Sequence, residues 1–325
     1  MEIFYSPFTD PYRNLALEEL LFSSLPEETE ALLLWRNGPS VILGRYQNAA
    51  AEVDLAEAEE RNVRVARRLS GGGAVYHDLG NLNYSLILCC DDPDSVSLAE
   101  LTQPAVRACR RMGADVSFGG RIDIYADGKK RSGSAQAFRD SRLLHHGCVM
   151  LSTDLSVIPK LLRTKPGKIL AGAEPSAVSP VTTLSLAAGR PVSAGEFADA
   201  LIEEFGRKGE RRSLPEFCGE DRLDALQARY EDPRWTFGYP PSYEETREER
   251  FPGGLVRVHL RMEEGVIAEI ALSGDFFCTG DPEDLCMLIR GHGIDTDLLR
   301  LLQTVPEGGI IHGVTPSELY RLIAG

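Results

Sequence analysis

The sequence predicts a protein of mixed α and β structure, in which short strands joined by tight turns alternate with capped helices. Residues 255–272 form two runs that alternate apolar and polar side chains, separated by a short polar turn, and this pattern is typical of a β-hairpin. Ser97 with Glu100, and Ser193 with Glu196, have the Ser-x-x-Glu spacing of a helix start. The fold class is therefore α/β, of the α+β type.

The first third of the chain can be divided into elements from its local signals. Residues 10–11 (Asp-Pro) are an N-cap followed by proline at the first helical position, and leucines then mark one face of a helix. The apolar runs 31–36 and 40–44 have the length of strands. Asp54 caps a short helix, and a further strand is predicted at 63–67, directly before a glycine-rich stretch.

The middle of the chain continues this alternation. The helix that starts at Ser97 is expected to reach Gly113, and residues 119–125 are expected to form a strand. The Asp-Gly pair at 127–128 predicts a hairpin turn, and another strand is predicted at 145–151. Residues 152–192 are rich in Pro, Gly, Ser and Thr, which indicates a long functional loop with a helical turn near 155–163.

The last third of the chain indicates a second domain. Paired prolines, aromatic residues and a run of charges near 232–252 suggest a linker, which we place at about 238–254. The predicted hairpin and two or three helices follow. We therefore expect one domain at 1–243 and a small α+β domain at 244–325.

Composition limits the possible functions. The chain has 325 residues, with 49 acidic and 35 basic side chains and a formal charge of −14, which opposes binding to nucleic acid. It has no apolar run long enough to span a membrane, and its first residues lack the charged start and apolar core that predict a signal peptide. The seven cysteines show no C-x-x-C pair and are expected to be reduced thiols. We expect a cytoplasmic protein that binds neither nucleic acid nor membrane.

The segment 67–85, with the sequence RRLSGGGAVYHDLGNLNYS, is the strongest candidate site. Glycine lacks Cβ, so the N–H groups of Gly71, Gly72 and Gly73 can approach a ligand closely, and the two arginines before them carry charge that suits carboxylate or phosphate. The stretch is neither a P-loop nor a dinucleotide fingerprint, since each requires a helix to follow. The glycines alone are compatible with two interpretations, an anion cradle and a simple glycine-rich hairpin turn.

Several motifs in this order resemble those of the lipoate–protein ligases. They are GRYQN (44–48), RRLSGGGAVYHDLGN (67–81), DGKKRSGSAQAF (127–138) and HHG (145–147). The segment RWTFGYPPSY and the GDFF after the second hairpin resemble the small accessory domain of that family. The chain is thus identified as a member of the family over nearly its whole length.

The resemblance implies a fold, a reaction and partners. The fold is a mixed, largely antiparallel sheet flanked by helices, as in biotin ligases and class II synthetases. The reaction joins lipoate, or a similar acid such as octanoate, to AMP from ATP with Mg²⁺, and transfers the acyl group to a lysine of a lipoyl carrier domain. The implied carriers are the E2 subunits of 2-oxoacid dehydrogenases and the glycine-cleavage H protein, and the implied state is a monomer.

The resemblance also assigns roles to residues. Lys130 would be catalytic, bridging the acyl carboxyl oxygen and the phosphate, and Asp123 would hold Mg²⁺ or the adenylate. Taken alone, the lysine pair would be a solvated hairpin tip. The other residues that match the substrate- and ATP-binding motifs are Arg68, Ser70, Gly71, Gly72, Gly73, Ala74, Val75, Tyr76, His77, Asp78, Asn81, Gly133, Ser134, Ala135, His146 and Gly147.

One segment departs from the family, and two rival functions remain open. Residues 168–184 lack the Lys-Gly pair, the arginine and the asparagine of the family's KGxxSVxxRVxNL loop. The first rival is an octanoyl or lipoyl acyltransferase, or amidotransferase, that forms a cysteine thioester without ATP. It would require a reactive Cys148, which we interpret instead as a buried structural thiol. The second rival is a non-catalytic relative that binds lipoate or a carrier domain.

Overall fold

The computed structural model describes residues 1–92, 96–119, 123–126, 129–130, 132–163, 181–206, 212–237, 245–305 and 311–325. Its strands are β1 (Glu2–Tyr5), β2 (Ala31–Trp35), β3 (Ser40–Leu43), β4 (Arg64–Arg67), β5 (Val75–His77), β6 (Asn81–Cys89), β7 (Ser117–Gly119), β8 (Asp123–Ala126), β9 (Lys129–Lys130), β10 (Ser132–Arg139), β11 (Arg142–Met150), β12 (Glu245–Phe251), β13 (Gly254–Glu263) and β14 (Val266–Gly274). Its α-helices are α1 (Pro11–Ser24), α2 (Ala49–Glu52), α3 (Leu55–Glu60), α4 (Leu98–Arg111), α5 (Ile158–Leu161), α6 (Leu184–Ala188), α7 (Ala194–Glu204), α8 (Glu220–Glu231), α9 (Pro233–Phe237), α10 (Pro282–Ile289), α11 (Thr296–Leu302) and α12 (Pro316–Ala324).

A mixed, largely antiparallel sheet of five strands forms the centre, in the order β1-β2-β6-β11-β10. Among the described strands of this sheet, only β1 and β2 pair in parallel. One face packs against α4 and α7, which contribute Val106 and Phe197 to that core, and the other packs against α1 and α8, which contribute Leu17 and Leu223. The fold class that the sequence predicts, helices flanking a mixed sheet, is confirmed.

A smaller three-stranded sheet stands beside the central one, in the order β4-β3-β5. Strands β3 and β4 are parallel, and β5 pairs antiparallel with β3. The glycine-rich segment connects β4 to β5, and β6 begins shortly afterwards in the central sheet. Strand β5 is not among the elements predicted from the sequence, in which the strand-like run 82–88 follows the glycine-rich segment directly. Because β5 intervenes, the glycine loop is held by the small sheet on one side and the central sheet on the other.

The C-terminal part forms a third sheet, β12-β13-β14, covered by α10, α11 and α12. The predicted hairpin is confirmed: β13 and β14 pair antiparallel, and Glu264 (φ 50°) and Gly265 (φ 83°) make a two-residue turn of the type that matches strand twist. Thr315 and Glu318 form a capping box at the start of α12. Strand β12 lies in a stretch predicted as linker, since its charged side chains hide the pairing with β13.

Local signals placed several helix starts correctly. Asp10 accepts hydrogen bonds from the first turn of α1, and Ser97 and Ser193 cap α4 and α7 as predicted. Helix α6 begins at Leu184, within the range predicted to be a long loop. Strand β1 and helix α8 were also missed; α8 carries a diffuse polar pattern, and its position depends on burying Leu223 and Tyr230. Among the described residues, no helix is both long and apolar enough to cross a membrane.

Candidate active site

A cavity of about 280 Å³ opens where the central sheet, the glycine loop and the C-terminal sheet meet. Strands β6, β10 and β11 form its floor, and Leu15, Trp35 and Ile42 give it an apolar side. Eleven of the residues that the motifs predict line it: Arg68, Gly72, Gly73, Ala74, Val75, His77, Gly133, Ser134, Ala135, His146 and Gly147. The cavity therefore combines an apolar wall with a polar, glycine-rich rim.

The glycine loop is held in shape by Arg68. Its guanidinium donates to the carbonyl oxygens of Gly71 (2.6 Å), Gly73 (2.9 Å) and Ile42 (3.2 Å), and its Nε donates to Ser70 Oγ (3.0 Å). Burial lowers the pKa of Arg68 to about 10, so the group stays charged at neutral pH. The carbonyl groups of the loop turn towards this cation.

The role expected of Arg67, the first of the two arginines at the loop entrance, needs correction. Arg67 is fully buried and donates to the carbonyl oxygens of Gly44, Arg45, Trp235 and Thr236. Its charge thus joins the loop after β3 to helix α9 rather than being offered to an anion. The sequence could not indicate this, because the acceptors are backbone groups up to 169 residues away.

Close packing explains why Gly44 and Gly147 of the motifs are glycines. A Cβ built on Gly44 would lie 1.9 Å from the carbonyl oxygen of Gly72, and Gly72 itself has φ of +88°. A Cβ on Gly147 would lie 2.6 Å from the phenol of Tyr84. By contrast, Gly73 lines the cavity and a Cβ there would have nothing within 4 Å. The open space beside Gly73 is where a ligand could approach the loop backbone.

A buried hydrogen-bonded chain supports the loop from below. Glu18 of α1 accepts from Ser85 and lies 2.8 Å from Nδ1 of His146. The other ring nitrogen of His146 is 2.6 Å from Ser70 Oγ, which in turn accepts from Arg68. Because a buried carboxylate must be paired, this chain fixes His146 between helix and loop. Its neighbour His145 points to the opposite face, as strand alternation predicts.

His77 is held in one tautomer by a second buried chain. Asn14 Nδ2 donates to Asn37 Oδ1 (2.8 Å), so Asn37 turns its own amide N–H towards His77 Nδ1 (3.2 Å). The neutral ring then carries its proton on Nε2. Burial, with the nearby Arg68 and His146 as lesser causes, lowers the pKa of His77 to about 3. His77 is therefore neutral at physiological pH.

The remaining predicted residues lie outside the cavity wall or outside the described side chains. Ser70 and Gly71 shape the loop from within, and Tyr76 points into the small core behind β3. Asp78 accepts from the backbone of Gly80 (2.8 Å) and Asp154 (2.9 Å), and thus holds a turn. Asn81 is fully buried, and its Oδ1 has no partner among the described residues.

The two residues expected to do the chemistry can be placed only by their backbone. Lys130 and Asp123 lie on β9 and β8, which pair antiparallel as the hairpin signal predicts. Their side chains, the turn at 127–128 and residues 168–180 of the divergent segment are outside the described part of the structure. Strand β10 begins two residues after Lys130 and leads directly into the cavity floor.

Sequence reasoning missed several residues of the cavity, notably Leu15, Trp35, Ile42, Asn83 and Cys148. Asn83 follows Asn81 at a spacing of two on β6, and this spacing was a usable signal for a shared face. Cys148 is buried, as we expected, but its side chain also lines the cavity. The others come from elements that only the tertiary fold brings together.

The C-terminal sheet closes the cavity from above. Gly72 N–H donates to the carbonyl oxygen of Phe276 (3.3 Å), and Gly274 N–H donates to that of Tyr46 (2.9 Å). The rings of Tyr46 and Phe276 stack with centroids 5.0 Å apart. Phe277 lines the cavity, together with Arg250, Gly254 and Asp275. The N–H group of Gly72 in the glycine loop is thus paired with a carbonyl group that follows the C-terminal sheet.

These features match a known class of enzymes. Residues 10–206 match the model of the lipoyl protein ligase A/B catalytic domain, and residues 240–323 match that of the bacterial lipoate protein ligase C-terminus. The first match alone covers more than half of the chain, and the resemblance seen in the motifs is confirmed. The chain belongs to the lipoate–protein ligase family.

Curated relatives agree with this assignment. The chain is 33% identical to lipoate-protein ligase LplJ of Bacillus subtilis over 287 residues, which are 87% of each chain. It is 34% identical to lipoate–protein ligase 1 of Staphylococcus aureus over 279 residues, which are 85% of each.

Solved structures share the fold. LipL1 of P. falciparum, solved in complex with lipoate, gives a TM-score of 0.78 over 99% of this chain and 98% of its own, at 19% identity, which speaks for the fold alone. A bipartite lipoate protein ligase of Thermoplasma acidophilum, described with its E2 lipoyl domain, gives 0.64 at 28% identity over 75% of this chain and 100% of its own. Lipoate-protein ligase A bound with ATP gives 0.64 at 28% identity over 73% and 99%.

Gly44→Ala is expected to destabilise the protein by about 1–3 kcal/mol, because its methyl group would overlap a backbone carbonyl that cannot move freely. Gly73→Ala is the matched control, since its methyl group meets open space. Thermal unfolding monitored by circular dichroism compares the two. Equal melting temperatures would contradict the close packing of the two loops.

Acidification is expected to destabilise the fold through two buried histidines. Burial lowers the pKa of both His77 and His145 to about 3, so each takes up a proton between pH 6.5 and 3 only when the chain unfolds. Above about pH 6.5 both histidines are neutral in the folded and the unfolded chain, so the free energy of unfolding is not lowered. At pH 5 each histidine should lower the free energy of unfolding by about 2 kcal/mol.

His145→Gln should remove about 2 kcal/mol of the loss at pH 5 without touching the cavity wall. Urea unfolding at pH 7, 6 and 5 measures the slope for the wild type and the variant. Identical pH dependence in the two proteins would show that His145 is not held neutral.

Proposed function

We propose that this protein is an ATP-dependent lipoate–protein ligase, which activates lipoate or a similar acid as acyl-AMP and transfers the acyl group to a lysine of a lipoyl carrier domain. The observation that carries the proposal is one cavity with an apolar wall and a glycine-loop rim. An acyl chain and an acyl phosphate can occupy such a cavity together. The matches of both parts of the chain to ligase models add support.

The apolar wall suits the hydrocarbon part of the acid. Leu15, Trp35 and Ile42 belong to the apolar core between helix α1 and the two sheets. All three also line the cavity. An aliphatic chain that enters here is removed from water, which contributes roughly 0.8 kcal/mol for each CH₂ group buried. The apolar wall of this cavity of about 280 Å³ can take the hydrocarbon part of an acid such as lipoate or octanoate.

The glycine rim suits the phosphates of ATP. Backbone N–H groups near Gly73 can donate to phosphate oxygens without a side chain in the way. Asn81 Oδ1, an acceptor with no partner among the described groups, fits a site for a hard cation or an N–H of the nucleotide. Mg²⁺ would supply charge neutralisation at the phosphates, and Asn81 and Asp123 are the residues of this chain that would hold it.

The proposed chemistry has two steps. A carboxylate oxygen of the acid attacks the α-phosphorus of ATP and pyrophosphate leaves. The amine of the carrier lysine then attacks the acyl carbonyl and AMP leaves. Both partners of the first step are anionic, so positioning and charge neutralisation supply most of the catalysis. Lys130, on the strand that precedes the cavity floor, provides the compact positive charge between carboxyl and phosphate.

We also infer the protein partner and the cellular location. The ligase of Thermoplasma acidophilum, at 28% identity, is described with its E2 lipoyl domain, which supports a lipoyl domain as the carrier here. E2 subunits of 2-oxoacid dehydrogenases and the glycine-cleavage H protein are the carriers we propose. None of the seven cysteines, all of them described, is in a disulfide bond, which supports a cytoplasmic location. A monomeric state stays a prediction.

We further propose that residues 1–243 and 244–325 are two domains whose relative angle changes during the reaction. The second sheet touches the glycine loop at Phe276 and Phe277, and the hydrogen bond from Gly72 to Phe276 uses a donor that a phosphate would need. Enclosure protects an acyl-adenylate from water, and the carrier lysine must later reach it. A movable second domain satisfies both requirements.

One observation favours a second candidate function. The thiol of Cys148 lines the cavity, and Arg68 lies close enough to interact with it electrostatically. A thioester-forming acyltransferase without ATP would use such a thiol. Mass spectrometry of the protein after incubation with an octanoyl carrier protein tests this, because only the acyltransferase forms a stable adduct on Cys148. Cys148→Ser should leave ATP–pyrophosphate exchange intact in a ligase.

Lys130→Arg is expected to lower lipoate-dependent ATP–pyrophosphate exchange at least 100-fold while leaving the melting temperature unchanged. A planar guanidinium spreads its charge and cannot replace a compact ammonium between two oxyanions. Lys129→Arg is the matched control, because adjacent strand residues face opposite sides. Full exchange in Lys130→Arg would exclude the assigned role, and equal losses in both would show that the register is misassigned.

Binding of a non-hydrolysable acyl-adenylate analogue is expected to change the small-angle X-ray scattering profile of the full chain. The analogue's phosphate competes with the Phe276 carbonyl for Gly72 N–H, so the second domain moves away from its present contact. Lipoate alone, which carries no phosphate, is the control ligand and should leave the profile unchanged. Superimposable profiles in all three samples would contradict the domain movement.

A further inference from the structure

The side chain of Asn83 is anomalous for a buried amide. It lines the cavity and is 1% exposed, yet neither its Nδ2 nor its Oδ1 has a hydrogen-bond partner among the described residues. Burial of a polar amide without a partner is unfavourable, so such a group in a folded protein requires an explanation. One explanation is a ligand that enters the cavity and forms hydrogen bonds with the amide.

The sheet register shows where along the cavity this amide lies. Trp35, Asn83, Cys148 and Gly133 are successive partners across β2, β6, β11 and β10. All four line the cavity. Gly133 is three residues from Lys130 along the chain. The row that contains Asn83 is therefore close, along the strand, to the proposed catalytic lysine.

The rows on either side differ in polarity. Alternate residues share a face, so Asn81, Asn83, Ser85 and Ile87 follow one another along β6. Asn81 lies beside the turn after β5, and Ile87 packs in the apolar core with Leu144. Asn83 thus lies between the nucleotide side and the apolar side, at the level where the polar end of an amphiphilic acid would stop. Ser85, by contrast, is already paired with Glu18 and Trp35.

A second unpaired donor lies beside the same tryptophan. His77 lines the cavity, and its Nε2 is buried with no partner in the described part of the chain. The chain from Asn14 through Asn37 fixes its proton on Nε2, so this atom is a donor. The His77 ring meets the ring of Trp35 at 6.3 Å, edge to face, and Trp35 is the strand partner of Asn83.

Two N–H donors beside an apolar wall select a ligand with an oxygen acceptor at the end of a hydrocarbon chain. We propose that Asn83 Nδ2 and His77 Nε2 donate hydrogen bonds to the carboxyl group of the acid substrate, and after activation to the carbonyl group it becomes. No protein group described in the structure fixes the Asn83 amide, so it can turn its nitrogen towards the acid. This inference rests on the function proposed above and names the residues that recognise the acid end.

The donors would assist both steps in the same way. In the first step they orient the carboxylate, so that one oxygen faces the α-phosphorus near Lys130. In the second step the carbonyl oxygen gains negative charge as the carrier amine adds to the carbonyl carbon, and fixed N–H donors stabilise that charge. The collapse of this adduct expels AMP and restores the carbonyl, which keeps the same hydrogen bonds.

Asn83→Leu tests the proposal, because leucine has a similar size and removes both polar atoms. We expect the KM for lipoate in ATP–pyrophosphate exchange to rise about 10- to 100-fold, the range for loss of a hydrogen bond to a charged group. The KM for octanoate should rise by the same factor, since the two acids share only the carboxyl end and the alkyl chain. The KM for ATP should stay unchanged. The melting temperature should stay unchanged or rise.

Gln136→Leu is the matched control. Gln136 is on the opposite face of β10 from Ala135, where its amide lies against His145. The same chemical change there should leave both acid KM values at the wild-type level. His77→Phe keeps an aromatic ring beside Trp35 and removes the Nε2 donor, so it should raise the KM of both acids alike; an unchanged KM would remove His77 from the site.

The outcomes separate the possible errors. No exchange in the wild-type protein with any acid would mean that the proposed function itself fails. With an active wild type, an unchanged acid KM in Asn83→Leu overturns the inference. An effect on lipoate but not on octanoate would assign Asn83 to the distal end of the acid, and a rise in the KM for ATP alone would assign it to the nucleotide; either result overturns it.

Discussion

The buried guanidinium of Arg68 is the interaction on which the candidate site depends. It holds the carbonyl groups of Gly71 and Gly73 and joins them to β3 through Ile42. A loop of consecutive glycines has a large conformational entropy when unfolded, and without a fixed partner its carbonyl groups could turn either way. With these two carbonyl groups held by Arg68, Gly72 directs its N–H towards the Phe276 carbonyl group of the second sheet.

Arg68 is itself fixed through a chain of polar groups that starts on helix α1. Ser70 accepts from it, His146 holds Ser70, and Glu18 holds His146. The shape of the glycine loop is thereby coupled to the packing of α1 on the central sheet. This coupling explains why Glu18 is almost fully buried on a helix whose other inward residues are mostly apolar.

The same sheet face also produces the amphiphilic character of the cavity. Polar side chains occur near the glycine loop, and apolar ones occur towards Leu15 and Ile42. The C-terminal sheet adds the last wall through Phe277 and Asp275. Three structural units therefore have to meet before the cavity exists, and each of them contributes a different kind of group.

The sequence by itself determined the elements whose signals are local. Asp10, Ser97, Ser193 and Thr315 mark helix starts because capping uses neighbouring backbone groups, and the turn at Gly265 follows from the two alternating runs around it. The motifs also determined the family and most of the residues that line the cavity.

The tertiary structure alone decided how those residues are used. Only the register between separate strands shows that Asn83 and Cys148 share the cavity floor, and only the fold shows that Arg67 is bound by distant carbonyl groups. Strand β12 and helix α8 depend on burial against partners far along the chain. The physical reason is the same in each case: pairing and burial join residues that local sequence does not connect.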